Sequence, residues 1–379
     1  MSTSTLPTTD PARTAAREAI AAEALDHALA VDAGDLDVRP ALRQLGSAGL
    51  LGLGTDGQPG TLAEQAEVIR TLAGACMATA FSTWAQRMAI GYLSAWGSPT
   101  LRATLLPDLL DGTRAGATAM ATAFQDALGL REVGVVADDR RDDHPTRTVD
   151  RHDGRPTHAD DPGDGEVVLD GTIPWASNLF VDGAVVVLPA RTHDGRRLIV
   201  AVTTDQPGVT LRDHPPLLAL GATASTSVQL DGVRVPAAHV LTDRFLDFLA
   251  DVRPSFLLLQ TAFCLGLTDA ALESAAGRFD GPAVVLEADH DALVDRRNEL
   301  AAAFSDRLAH GGPADERLVE LRLAAGQLGV DATRHESGVR GGAGYLATAP
   351  TARRLREATF LPIQSPTEAQ LRWELTRSA

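Results

Sequence analysis

The stretch 169-LDGTIPWASN-178 decides how this chain is read. Asp170-Gly171 is a hairpin or turn signal inside a β-branched apolar run. The run closes on Trp175, followed by Ala176, Ser177 and Asn178. The chain has four tryptophans in 379 residues. A large flat ring at what reads as the end of a strand, two residues before a hydroxyl, therefore asks for a reason.

Working outward from that stretch, the texture on both sides is strand-like. "GAVVVLPAR", "RLIVAVTTD" and "STSVQLDGVRVP" are short β-branched runs, punctuated by HDG, QPG and LDG turns. Residues 113–241 therefore read as a strand-rich middle domain. Within it, residues 138–166 have low hydrophobicity and mixed charge, the pattern of a solvated, mobile insert. The insert holds His144, His152 and His158, but at no convincing ligand spacing, and no metal is expected.

Both flanks read as helical. In residues 12–112, "AAREAIAAEALDHALA" carries no breaker, and the long apolar run from Thr61 to Gly97 reads as two buried helices. Ser98 and Pro99 mark a helix start and Gly112 lies past its end. Residues 242–379 return to helix. There "RPSFLLLQ" is read as a helix opening with Pro254 in a permissive early position, and Gly341, Gly342 and Gly344 break the pattern in "RGGAGY". Residues 1–11 read as a disordered tail. Helices, then strands, then helices argue for an α+β fold and against an alternating parallel sheet. No G-x-G-x-x-G follows a strand, so a Rossmann site is not supported.

Composition removes several chemistries. All 34 basic residues are Arg, which excludes Schiff-base and P-loop lysines. The formal net charge of −16 disfavours nucleic acid. Cys76 and Cys264 sit in apolar helical runs and read as small buried hydrophobes in a reducing compartment. The segment MSTSTLPTTDPA has no basic or apolar region of a secretory signal. No apolar run reads as approaching the roughly 20 residues that span a bilayer. The expectation is a cytoplasmic protein without nucleic-acid or membrane partners.

Five segments in order resemble the acyl-CoA dehydrogenase superfamily: "LGSAGLLGL", "LRATLLPDLLDGTRAGATAMA", "LDGTIPWASN", "QPGVTLRDHPPLLALGATASTSVQLDGVRVPAAHVL" and "RGGAGYLATAPTARRLREATFLPIQSPTE". The resemblance covers nearly the whole chain. It implies an N-terminal helical domain, a middle β-barrel or sandwich domain and a C-terminal four-helix bundle. It also implies a flavoprotein oxidoreductase with FAD, a homotetramer or homodimer, and a small-molecule substrate of the thioester class. In the family the tryptophan packs against the flavin and the hydroxyl two residues on bonds near N5. Those positions are Trp175 and Ser177. A flat apolar ring shields one flavin face, while a donor at N5 stabilises charge as a hydride arrives.

Other positions depart from the family pattern. Its glutamate base falls on Ser365 in "PIQSPTEAQ", with Glu368 three residues on. The alternative base position, before an arginine on the first C-terminal helix, falls on Val252 in "LADVRPSF", beside Asp251. A serine hydroxyl does not accept an α proton unaided, and valine cannot. The family's flavin- and pyrophosphate-holding segment reads "MATAFQDALGL", retaining Thr122 but not the Gly-Ser-Asp. Its "R..FG" element is reduced to "GRFDGP", with Arg278 as the remnant. Gly338 or Val339 stands where the family has a glutamine. Arg340, with Gly341 and Gly342, offers a guanidinium and backbone N–H groups to a phosphate, and a helix-ending loop explains the glycines equally.

Three functions are consistent with this pattern. The first is a flavin-dependent oxidoreductase with a non-standard substrate or base. The second is a monooxygenase-like enzyme using FMN or loosely held reduced flavin, with His239, Ser225 or Ser365 as possible helpers. The third is a non-catalytic subunit paired with an active chain in a heteromeric assembly.

Overall fold

The computed structural model describes residues 10–139, 151–152, 155–156 and 165–378. Most of the predicted 138–166 insert and residues 1–9 lie outside them. The N-terminal helices are α1 (Pro11–Ala33), α2 (Arg39–Ser47), α3 (Leu62–Ala75), α4 (Met77–Trp96) and α5 (Pro99–Leu110). The long apolar run is two helices, as read from the sequence, because Cys76 takes an extended conformation between them. Thr61 and Glu64 close a capping box at the start of α3, so two of its free N–H groups are satisfied reciprocally. Ser98 caps α5 and Gly112 is left-handed beyond its end. Helix α4 is buried on nearly every face and runs through the largest apolar cluster.

The middle region holds β1 (Gly116–Thr118), α6 (Ala121–Ala127), β2 (Val135–Asp139), the two-residue strands β3 (Arg151–His152) and β4 (Arg155–Pro156), then β5 (Glu166–Ala176), β6 (Val185–Thr192), β7 (Arg197–Thr203), β8 (Val209–Leu211), β9 (Thr226–Pro236) and β10 (Val240–Thr242). Apart from the β3–β4 pair, the described strands join in one eight-stranded sheet. Its path is β10-β7-β6-β2-β5-β9-β8, with β1 on β6. The β1–β6 and β2–β6 pairs are parallel and the others antiparallel. A second apolar cluster, including Val167, Leu169, Leu188, Val200, Val228 and Val233, fills its interior.

The C-terminal helices are α7 (Phe245–Ala275), α8 (Glu287–His310), α9 (Glu316–Gly344), α10 (Pro350–Ala358) and α11 (Glu368–Ser378). Helices α7, α8 and α9 pack on one another, and α10 and α11 on α9. Two sequence expectations need correction here. Pro254 does not open a helix: α7 begins nine residues earlier, at Phe245, and Pro254 lies inside it. The proline removes the partner of the Ala250 carbonyl, and Ala250 is exposed, so water can satisfy that oxygen. Helix α7 is also long and apolar enough to cross a bilayer, contrary to the reading of the sequence. Its most apolar window is 83% buried, against α3, α4 and α9, so its apolar surface is already covered by protein.

Buried ion pairs fasten α10. Glu336 of α9 accepts from Thr351 at 2.6 Å and from Arg354 Nε at 2.9 Å. Burial opposes ionisation of Glu336, but the Arg354 hydrogen bond and charge outweigh it and hold the carboxyl below its ordinary value. Because the folded value lies below the unfolded one, this contribution is complete above the unfolded pKa and is lost as pH falls through the folded one. The urea midpoint of the wild type should therefore exceed that of Glu336→Gln by a constant margin near neutral pH. The margin should shrink only below about pH 4.5, and a margin that grew on acidification would contradict this sign.

Candidate functional site

The last residues of β5 are shaped by a bulge. Ile173 pairs with Val228 and Ala176 with Thr226, so Pro174 and Trp175 together oppose one residue of β9. The extra residue breaks the alternation and leaves Trp175 48% exposed on the outer face. The chain then turns inward. Ser177 is buried, and Asn178 takes a left-handed conformation with φ 61°. The Asn178 amide donates to the Ser82 carbonyl of α4 at 2.9 Å and to the Gly116 carbonyl of β1 at 3.0 Å. Its N–H donates to the Thr223 carbonyl at 2.8 Å. Asn178 thus fixes the Trp-Ser end of β5 to the helical core.

The opposing loop, 220–225, is equally constrained. Leu220 (φ 62°) and Ala224 (φ 44°) are left-handed. With Asn178 they are the three non-glycine residues of positive φ among the described residues, and all three flank Ser177. Each costs on the order of 1–3 kcal/mol and persists only where the surroundings over-determine it, a pattern that collects at functional sites. The surroundings are visible. Leu220 N–H donates to Asp32 Oδ1 at 2.7 Å, and the other oxygen of that buried carboxylate pairs with Arg356 at 2.9 Å. Between the two loops three hydroxyls are linked: Ser177 Oγ to Ser225 Oγ at 2.7 Å, and Ser225 Oγ to Thr223 Oγ1 at 2.7 Å.

The family's base position lies in a different part of the fold, in the loop after α10. Ser365 Oγ is buried with no hydrogen-bond partner among the described residues. Its carbonyl accepts from Gln260 at 2.8 Å. Arg322, fully buried on α9, donates to Gln260 Oε1 and Gln364 Oε1, both at 3.0 Å, so a guanidinium with neutral partners sits one side chain away. Aromatic rings fill the space between α4, α6, α7 and this loop. Phe124 meets Phe256 at 5.0 Å, Phe256 meets Trp84 at 4.9 Å, Trp84 stacks on Phe81 at 5.3 Å, and Phe81 meets Phe360 at 4.7 Å.

Neither neighbouring carboxylate replaces the missing base. Asp251 accepts from Trp96 Nε1 at 2.8 Å and is held away from the buried face that carries Val252. Glu368 accepts from Gln327 and pairs with Arg372 at 2.6 Å. His239 Nδ1–H donates to the Ala201 carbonyl, 3.2 Å away, and burial lowers its pKa, which fits a structural role at the sheet. Both cysteines are free and buried, and burial raises both thiols.

The remaining predicted positions are less concentrated. Thr122 lies on α6, and its hydroxyl turns back to the Ala119 carbonyl at 3.4 Å, so it presents no free donor outward. Arg278 is on the surface, with Nε on the Ser274 carbonyl. Helix α9 kinks at Gly341 (φ 56°), which requires glycine there. Gly342 has neither a positive φ nor a neighbour within 4 Å of a built Cβ. Its backbone is open to close approach, and Arg340 Nε beside it has no partner among the described residues. A cleft of about 370 Å³ lies elsewhere, lined by Leu128, Arg253, Val319, Trp373 and Glu374 among others, and by none of Trp175, Ser177 or Ser365.

These residues fit the ring end of a flavin. Trp175 offers a flat apolar face, and Ser177 an oxygen held in a rigid frame beside it. The open backbone at Gly342 suits a phosphate, while Arg340 Nε beside it is buried.

Known proteins resemble this chain in sequence and in fold. Residues 7–113 match the family described as acyl-CoA dehydrogenase, N-terminal domain. Over 230 residues the chain is 27% identical to the probable acyl-CoA dehydrogenase YngJ of Bacillus subtilis (strain 168), covering 56% of this chain and 60% of that relative's length. Butyryl-CoA dehydrogenase from Megasphaera elsdenii superposes with a TM-score of 0.78 over 99% of both chains at 17% identity. A glutaryl-CoA dehydrogenase from Mycobacterium smegmatis in complex with FADH2 superposes with a TM-score of 0.74, over 97% of this chain and 94% of that one, at 18% identity. The chain has the acyl-CoA dehydrogenase fold. The helices α1 to α5 lie within the residues matched by that family's N-terminal domain model.

Proposed function

We propose that this chain is a flavin-dependent oxidoreductase whose flavin ring rests on Trp175 and Ser177, and that it works without a carboxylate at either family base position. The observation that carries this reading is a contrast between two sets of positions. Around Trp175–Ser177 three residues are held in left-handed conformations. At the two base positions stand Ser365 and Val252, and the nearby acids Asp251 and Glu368 are engaged elsewhere. A bound flavin, FAD in this proposal, would supply the electron-accepting ring. Trp175 shields one face of it, Ser177 meets its edge, and Arg340 with Gly342 receives the phosphates. A homo-oligomer and a thioester-class substrate follow from the resemblance alone. Removal of an α proton by a side-chain carboxylate does not follow.

The test is anaerobic mixing of the FAD-reconstituted chain with saturated acyl-CoA thioesters while the oxidised flavin band is followed. The reading expects a flavin spectrum perturbed by binding and no rapid bleaching by these thioesters. Rapid bleaching would show a base that the structure does not contain. A chain that takes up no flavin in either redox state would be the non-catalytic subunit. A reduced-flavin monooxygenase of the same fold is the second reading. It is favoured by the same missing acid, because oxygen chemistry asks for a dry pocket and not a carboxylate base.

A further inference from the structure

The hydroxyl relay behind Ser177 has a direction that can be read from its far end. Thr223 Oγ1 lies 2.8 Å from the Leu220 carbonyl oxygen, which can only accept. A hydroxyl carries one proton, so Thr223 gives its proton to Leu220 and must accept at its 2.7 Å contact with Ser225. Ser225 therefore donates to Thr223 and accepts at its 2.7 Å contact with Ser177. Ser177 in turn donates to Ser225. Its oxygen is left with lone pairs only toward any further neighbour. All three hydroxyls are buried, at 8% exposure for Ser177, 5% for Ser225 and 1% for Thr223, so water does not reset the order. The origin of the relay is fixed too, since Leu220 is tied to the buried Asp32–Arg356 pair.

We infer that Thr223 and Ser225 are positioning residues that make Ser177 an acceptor-only contact, so that this site selects reduced flavin, with a hydrogen on N5, over oxidised flavin. The inference rests on the flavin reading above. In oxidised flavin N5 is itself an acceptor, and two facing acceptors in a buried site leave both unsatisfied. In the reduced form the N5 hydrogen points at a waiting oxygen. A serine with a free proton would discriminate less, because it could rotate to donate to N5. The relay removes that freedom.

The experiment is anaerobic titration of the full-length chain with FAD and with dithionite-reduced FAD, together with the midpoint potential of the bound flavin. The wild type should bind reduced FAD about tenfold more tightly than oxidised, which places the bound midpoint about 30 mV above that of free FAD. In Thr223→Val, Ser225 loses its acceptor and turns its proton toward Ser177. The proton of Ser177 is then free for N5, and the preference should fall to near unity. Ser225→Ala should act in the same direction. Thr223→Ser keeps the relay and should keep the preference, an outcome that loss of packing would not give. Equal or tighter binding of oxidised FAD by the wild type, or a preference unchanged in both Thr223→Val and Ser225→Ala, would overturn the inference and leave the flavin reading standing. Failure to bind either form would overturn both.

Discussion

Replacing Ser365 by Glu should give the chain α-proton exchange with acyl-CoA thioesters at about 10²-fold to 10⁴-fold above wild type, the range a positioned general base supplies. The geometry already surrounds such a group. The Ser365 Oγ is buried and without a partner among the described residues, and its backbone is fixed through Gln260. The Arg322 guanidinium, buried with neutral partners, stands one residue further along the same network. A nearby unpaired cation favours the ionised carboxylate and so offsets part of the cost of burying it. The measurement is deuterium incorporation at the carbon next to the thioester, followed by mass spectrometry in heavy water. Wild-type exchange as fast as that of Ser365→Glu would show that another base operates.

Glu357→Ala should destabilise the fold by about 3–5 kcal/mol, because it leaves a buried arginine without its charge partner. Glu357 is fully buried in α10. It accepts from Arg353 at 2.6 Å and from the Met77 N–H, the first residue of α4, at 3.2 Å. Arg353 is itself only 1% exposed. The pair therefore ties α10 to the start of α4, the helix whose Ser82 carbonyl holds Asn178. Removing both charges at once, as Arg353→Met with Glu357→Leu, should recover most of the loss, since well-packed apolar groups replace buried ion pairs at little cost. Urea denaturation of the single and double variants checks both statements. A double variant no more stable than the single one would mean that the pair contributes through shape and not through charge.

The sequence carried the architecture because its signals are local and redundant. The break between α3 and α4, the Ser98 cap and the glycine kink at Gly341 each follow from the residue in place. Pro254 points the wrong way because a proline is a strong boundary signal, while the nine helical residues before it are held by tertiary packing of Phe245, Phe248 and Leu249. In the site, Trp175 and Ser177 were legible because they are adjacent in sequence. Their support was not. The Asn178 anchor on Ser82, the Ser177–Ser225 link and the Asp32–Arg356 tie join residues 48 to 324 positions apart. One trace is present: "GATASTS" places hydroxyls in a strand-entry loop, and Ser225 reads from the sequence as a possible helper in oxygen chemistry and not as part of a relay. Arg322 left no trace, since one arginine in an amphipathic helix looks like any other.

The central claim is that a flavin rests on Trp175. The most direct measurement is uptake of FAD, oxidised and reduced, by the purified chain and by Trp175→Ala, read by flavin absorbance after removal of free ligand. The account predicts binding by the wild type in at least one redox state. It predicts a roughly fivefold or greater loss in Trp175→Ala, the scale of one lost aromatic stacking contact. Wild-type protein that retains neither form, or a Trp175→Ala variant that binds as tightly as wild type, would contradict it.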